Sequence, residues 1–132
     1  MRAEDAVLIA ALVRALVETE ARSWREGTAL MRPRTELRRL AAWRASRSGL
    51  DAALLNPVTG LPEQAATVVD MLLVHCRDAL ADAGDEAVVA NLLAALLARG
   101  NGAAFQRTAY RRSGRLSDVI SSAVAVTGVS AG

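Results

Sequence analysis

Trp43, Arg44 and Arg47 stand together in the stretch Leu37 to Asp51, LRRLAAWRASRSGLD, which holds one of the two tryptophans and four arginines of the chain. Guanidinium groups beside an indole suit recognition of a carboxylate or a phosphate. The planar fork of N–H donors can make two parallel charge-assisted bonds, and the ring face holds the cation. Read as a helix, the stretch puts Leu37, Leu40, Ala41 and Arg44 on one side, with Trp43 and Arg47 on a neighbouring side four residues apart. The competing reading is an ordinary surface helix with the tryptophan in the core and the arginines in water. A second basic series, Arg107, Arg111 and Arg115 with Arg112 alongside, recurs every four residues. Like charges at that spacing repel, so they call for water, for acids of the third or fourth helix, or for a phosphate ligand. Gly100-Asn101-Gly102 lacks the spacing of a phosphate loop and reads as a corner between helices; the first amides after it form a weak anion site. His75 and Cys76 are adjacent, hence about 100° apart on a helix, and cannot share a metal in the usual way. His75 has Asp78 one turn away as a possible partner. The nucleophile elbow, the Walker loop and the dinucleotide-binding glycine motif are missing from the sequence. No catalytic residue and no metal site are therefore assigned within the chain.

The elements that must position these residues read as helices. The first runs from Glu4 to Glu26, with Glu4 and Asp5 in the first turn, where the helix dipole favours acids, and Gly27 past its end. Its positions 6 to 13 and 15 to 17 are apolar almost all round, the pattern of a central helix or of one awaiting a partner. Arg32-Pro33-Arg34 breaks the pattern, Thr35 is the expected N-cap of the second helix, and Gly49 stops it. Leu50 to Leu61, with Asn56-Pro57-Val58-Thr59-Gly60 at its middle, reads as a short hairpin. Pro62 and Glu63 open a third helix to about Ala83, with Ala65, Val69, Leu72, Cys76, Ala79 or Leu80, and Ala83 inward. Asp85 caps a fourth to about Arg99, with Val88, Leu92, Leu96 and neighbours inward and Gly100 as its stop. A fifth runs from about Ala103 to Arg112, closed by Gly114, and a sixth from about Leu116 to Thr127. The expected architecture is mainly α: a compact bundle of about six helices with one short β-hairpin, a single domain over residues 1–128 and a frayed tail over 129–132.

Composition agrees. Hydrophobic residues make up 52% and aromatic residues 3% of 132, so Ala, Leu and Val must build the core, as closely packed helices require. All sixteen basic residues are arginine, a bias that codon usage alone can produce. Residues 22–47 carry eight arginines against two acids, residues 99–115 five against none, and residues 48–98 seven acids against Arg77 alone. Such segregation allows internal pairing, a phosphate-bearing ligand or an acidic partner. Nucleic acid is the weakest of the options, since few aromatics are available to stack on bases. One cysteine excludes an internal disulfide, and the longest apolar run, Ala6 to Val13, is far short of the roughly eighteen residues that span a bilayer. Glu4 and Asp5 argue against a signal peptide, and the expected location is the cytoplasm, with no membrane partner.

In their order these pieces resemble the C-terminal part of the glutamate–cysteine ligase type 2, or carboxylate–amine ligase, family. The matching stretches are EDAVLIAALVRALVE (Glu4 to Glu18), LAAWRASRSGLDAALLNPVTG (Leu40 to Gly60) and ARGNGAAFQRTAYRRSGRLSDVI (Ala98 to Ile120). The segments WRASRSGLD and GNGAAFQRTAYRRSG carry the specificity. The resemblance implies a fold like glutamine synthetase, in which helices pack around a curved antiparallel sheet that carries the metal-binding carboxylates. It implies ATP and Mg²⁺ as cofactors, an amino-acid substrate, and amide formation by way of an acyl phosphate. By position Trp43, Arg44 and Arg47 match one family signature near the active site, and Asn101, Gln106 and Arg107 match a second; these six are the candidate substrate- or phosphate-binding residues. Ala41 stands where many relatives have Asn or His, and Ser48 where many have Tyr. No glutamate cluster precedes Glu4, so the metal ligands are expected outside this chain. The isolated chain is expected to be inactive and to need a sheet-bearing or homo-oligomeric partner. The alternative is a stand-alone helical dimerisation or interaction module without catalysis.

Overall fold

The computed structural model describes residues 2–28 and 34–128. The expected break at Arg32-Pro33 and the expected frayed tail lie outside the described residues. Among them the fold is mainly helical with one short hairpin, as the spacing predicts: α1 (Ala3–Arg25), α2 (Thr35–Ser48), β1 (Leu54–Leu55), β2 (Pro62–Glu63), α3 (Ala65–His75), α4 (Arg77–Asp82), α5 (Glu86–Arg99), α6 (Gly102–Ser113) and α7 (Leu116–Gly128). The chain divides into two compact units, one of Ala15–Asp82 and one of Met1–Arg14 with Ala83–Gly132, so α1 gives half of its length to each.

In the unit of residues 15–82 the core is Ala15, Leu55, Ala65, Cys76, Ala79 and Leu80. The hairpin is antiparallel, with Leu54 opposite Glu63 and Leu55 opposite Pro62. Its turn is tied by the Asn56 side chain, whose Oδ1 accepts from the amides of Val58 (2.8 Å) and Thr59 (3.1 Å). Gly60 takes φ 70°, and a Cβ there would lie 3.5 Å from the side chain of Leu37, so the turn approaches α2 closely. Pro62 and Glu63 thus extend the hairpin rather than opening the third helix, which starts at Ala65. Both residues tolerate extended backbone, and the amide that Pro62 lacks is not required at this edge. The predicted third helix is two segments, because Cys76 sits at φ −95°, ψ 3° between α3 and α4. Its inward stripe holds at Ala65, Cys76, Ala79 and Leu80, with Val69 and Leu72 half-buried, and fails at exposed Ala83. The N-cap position of α2 is Arg34 rather than Thr35, with no side-chain cap.

In the other unit Leu8, Val89 and Leu93 form the buried centre. The fully buried residues of α5 are Val89 and Leu93, neighbours of the expected Val88 and Leu92; Leu92 and Leu96 are half-buried and Val88 is exposed. The helix is apolar almost all round, so periodicity alone does not select a side. Asp85 occupies the N-cap position of α5 but makes no cap bond, since Arg14 of α1 takes its carboxylate. Helices α6 and α7 pack against one another, and Gly114 closes α6 in the left-handed conformation (φ 68°, ψ 7°). By length and composition the stretch Glu86–Ser113 is apolar enough to cross a membrane. It is two helices of 14 and 12 residues, broken where Gly100 takes φ 78°, ψ 170°, and each is shorter than the bilayer core demands.

Among the described residues, α1 keeps an exposed apolar side. Leu8 and Ala15 are buried, whereas Val7, Ile9, Val13, Val17 and Trp24 are exposed.

Candidate functional site

Three arrangements carry polar chemistry. The first is α2. Arg47 Cζ lies 5.4 Å from the centroid of the Trp43 ring, a cation–π stack across one helical turn. Trp43 is 57% exposed, so the tryptophan is not tucked into a core; the packed side of α2 is half-buried Ala41, Arg44 and Ser48. Within the described residues Arg34, Arg38, Arg39, Arg44 and Arg47 form no ion pair. The turn below the stack is held by Ser46, whose hydroxyl donates to the Trp43 carbonyl at 2.8 Å. The arrangement presents a guanidinium braced by an indole, with donors left for a planar oxyanion.

The second is the corner between α5 and α6. Asn101 is extended (φ −82°, ψ 172°), and its Oδ1 accepts from the Ala104 amide at 2.8 Å, so it is the side-chain cap of α6. Asn101 and Gln106 line a cavity of about 70 Å³ together with Arg2, Asp5, Arg99 and Phe105. Arg99 is paired through Nη2 with the Asp5 carboxylate, while its Nε is buried with no acceptor among the described residues. Gln106 also borders a groove of about 540 Å³ along α6 and α7, which Arg107 lines in turn. The structure thus brings Asn101, Gln106 and Arg107 onto two consecutive concavities that share Gln106. Neither concavity is lined by Trp43, Arg44 or Arg47. Replacing Asn101 by Ala is expected to lower stability by about 1 kcal/mol, read as a shift in the urea midpoint, whereas Asn101→Asp leaves it nearly unchanged.

The third arrangement is around Cys76. His75 Nε2 meets Glu20 Oε1 at 3.0 Å, not Asp78 as helical spacing suggests, because α1 supplies a carboxylate from outside the helix. Burial pushes the Cys76 thiol up, against a hydrogen bond with Thr19 that lowers it. Nearby, hydrogen bonds from Arg22 and Arg25 hold the Glu18 carboxyl below its ordinary value. No group of three His, Cys, Asp or Glu side chains is placed to hold a metal among the described residues.

Arg2, Asp5 and Arg99 escaped the sequence reading. Asp5 was legible only as a first-turn acid; its partner is ninety-four residues away, and no local pattern encodes that distance.

Residues 1–122 match the family described as glutamate-cysteine ligase family 2 (GCS2). Two similar proteins, both named "Putative glutamate--cysteine ligase 2-1", come from Paenarthrobacter aurescens (48% identical over 125 residues) and Streptomyces avermitilis (48% over 124). The matches cover 95% and 94% of this chain but 33% and 34% of those proteins, so the chain spans about a third of their length. A longer relative from Rhodococcus jostii is 38% identical, over 96% of this chain and 16% of its own. No solved structure matches significantly.

Proposed function

The chain belongs to glutamate–cysteine ligase family 2, and from that membership we propose that it is the C-terminal helical portion of an ATP-dependent carboxylate–amine ligase of the cytoplasm. The reaction passes a phosphoryl group from ATP to the side-chain carboxylate of an amino acid such as glutamate. An amine then displaces phosphate to leave an amide. Charge builds on oxygen in both steps, and cationic donors lower the barrier by meeting it there. In this reading Trp43, Arg44 and Arg47 receive a carboxylate or phosphate group, and Asn101, Gln106 and Arg107 provide a second set of contacts. The ligands for Mg²⁺ belong to the part of the longer relatives that this chain does not span, and that part is its partner.

The observation that carries the reading is the Arg47 guanidinium stacked on Trp43 with no carboxylate paired to it among the described residues. A merely structural arginine is ordinarily paired or free to move in water; a stacked one has its orientation set in advance. Two measurements test the proposal. The isolated chain with ATP, Mg²⁺ and glutamate is expected to release no phosphate above background, and glutamate-dependent release by it alone overturns the assignment. A chimaera in which this chain replaces the matched third of the Paenarthrobacter aurescens relative is expected to form ADP in a glutamate-dependent manner.

The exposed apolar side of α1 favours a second reading, a non-catalytic module that pairs through that helix. Ala6, Ala10, Val13, Val17 and Trp24 follow one another at spacings of four, three, four and seven residues, the seam of paired helices. If that reading holds, the pure chain sediments as a dimer, and Val13→Asp with Val17→Asp makes it a monomer. A monomer at every concentration removes this reading and leaves the first.

A further inference from the structure

The α6–α7 hairpin carries an exposed apolar strip on α7, with arginines at its turn end, that the ligase reading does not use. On α7, Val119, Ala123 and Val126 are half-buried on the side towards α6, while Leu116, Ile120 and Val124, at i, i+4 and i+8, are 71%, 64% and 65% exposed. Leu116 continues the strip into the groove, which Gln106, Arg107, Tyr110, Arg111 and Val119 also line. Arg111 lines the groove, Arg112 and Arg115 are exposed beside it in sequence at the turn end of the hairpin, and none of the three forms an ion pair within the described residues; Asp118 is the only acid on either helix.

We infer that this face is a docking surface for an acidic amphipathic helix of a separate polypeptide. Three apolar side chains in one row match the anchors of a helix laid in a groove, and the arginines match carboxylates on its flanks. The charges also decide between occupants. A permanently covered interface loses charged residues from its centre, because their desolvation is costly, whereas a surface that is covered and released keeps a wet basic rim. The groove is shared with Gln106 and Arg107 of the proposed ligase contacts, but the residues substituted in the test, Arg111 and Ile120, are not among those six.

The probe is a synthetic helix of about five turns, about 18 residues, with leucines on one face and glutamates on both flanks. Its binding to the pure chain is followed by fluorescence anisotropy of a dye on the peptide. We expect saturable binding that weakens about tenfold in Arg111→Glu, at least as much in Ile120→Asp, and about tenfold on raising salt from about 50 to about 300 mM. Both substitutions fall on exposed positions, and circular dichroism checks that each variant is folded. A peptide with lysines in place of the glutamates is expected to bind at least tenfold more weakly. The chimaera is expected to bind the glutamate peptide as the chain does. Equal affinity for the two peptides, indifference to Arg111→Glu or to Ile120→Asp, loss of binding in the chimaera, or tighter binding to oligothymidylate or to phosphatidylserine vesicles each overturns the inference.

Discussion

In the chimaera with the Paenarthrobacter aurescens relative, Arg47→Ala lowers kcat/KM for glutamate-dependent ADP formation about a hundredfold. That figure is what one preorganised donor at a developing negative charge commonly supplies, close to 2.7 kcal/mol. Arg47→Lys recovers little of it. An ammonium is a compact, strongly hydrated point charge that neither stacks as a planar guanidinium does nor reaches two oxygens in parallel. Trp43→Leu removes the brace but not the charge, so its loss is smaller, about tenfold, and a Phe at the same position recovers part of it by keeping a ring face. The division between constants is informative: a rise in KM alone means that Arg47 holds the substrate and its transition state equally, and a fall in kcat means contact with the reacting group. Unchanged kinetics in Arg47→Ala removes Trp43, Arg44 and Arg47 from the site.

The second large effect concerns stability. The side chains of Arg99 and Asp5 are 23% and 13% exposed, and Arg99 Nε is already buried without an acceptor among the described residues. Asp5→Ala leaves that guanidinium without a counter-charge beside Phe105 and Val126. The cost is expected to be about 2 kcal/mol, below the range for a fully buried pair because some water reaches both groups. In urea denaturation this is a fall in the midpoint of roughly 1 M. Removing both partners, as Asp5→Ala with Arg99→Met, restores at least half, since the damage lies in the orphaned charge rather than in the lost attraction. Arg14→Ala makes the control. It breaks the ion pair with Asp85, but the Arg14 side chain is 61% exposed, and the expected loss is under about 0.5 kcal/mol. Equal losses at Asp5 and Arg14 would show that burial does not set the difference.

The positions of the helices were legible wherever a local stop signal existed. Gly49, Gly84, Gly100 and Gly114 each end a helix at positive φ, and the ends of α2, α5 and α6 fall next to them. Trp43 and Arg47 could be placed on one side of α2 by counting, and their stack follows from that count. What was not legible depended on partners remote in sequence. Asp85 reads as a cap until Arg14 is known to take its carboxylate, and His75 reads as a partner of Asp78 until α1 brings Glu20 within reach. On α5 the sequence does not say which of Val88 and Val89, or of Leu92 and Leu93, is the more deeply buried, because they are chemically equivalent neighbours. Only packing against another element distinguishes them. Pro62 reads as a helix opener, a role that proline fills well, but the Asn56 turn sets a register in which it pairs with Leu55.

Cys76 is the only sulfhydryl in the chain, it is 0% exposed, and it occupies the joint between α3 and α4. It is consequently a natural clock for the opening of residues 15–82. Under native conditions a thiol-specific dye can react only when that joint parts, so the rate of colour development measures how often the packing around it loosens, with no engineered probe and no denaturant.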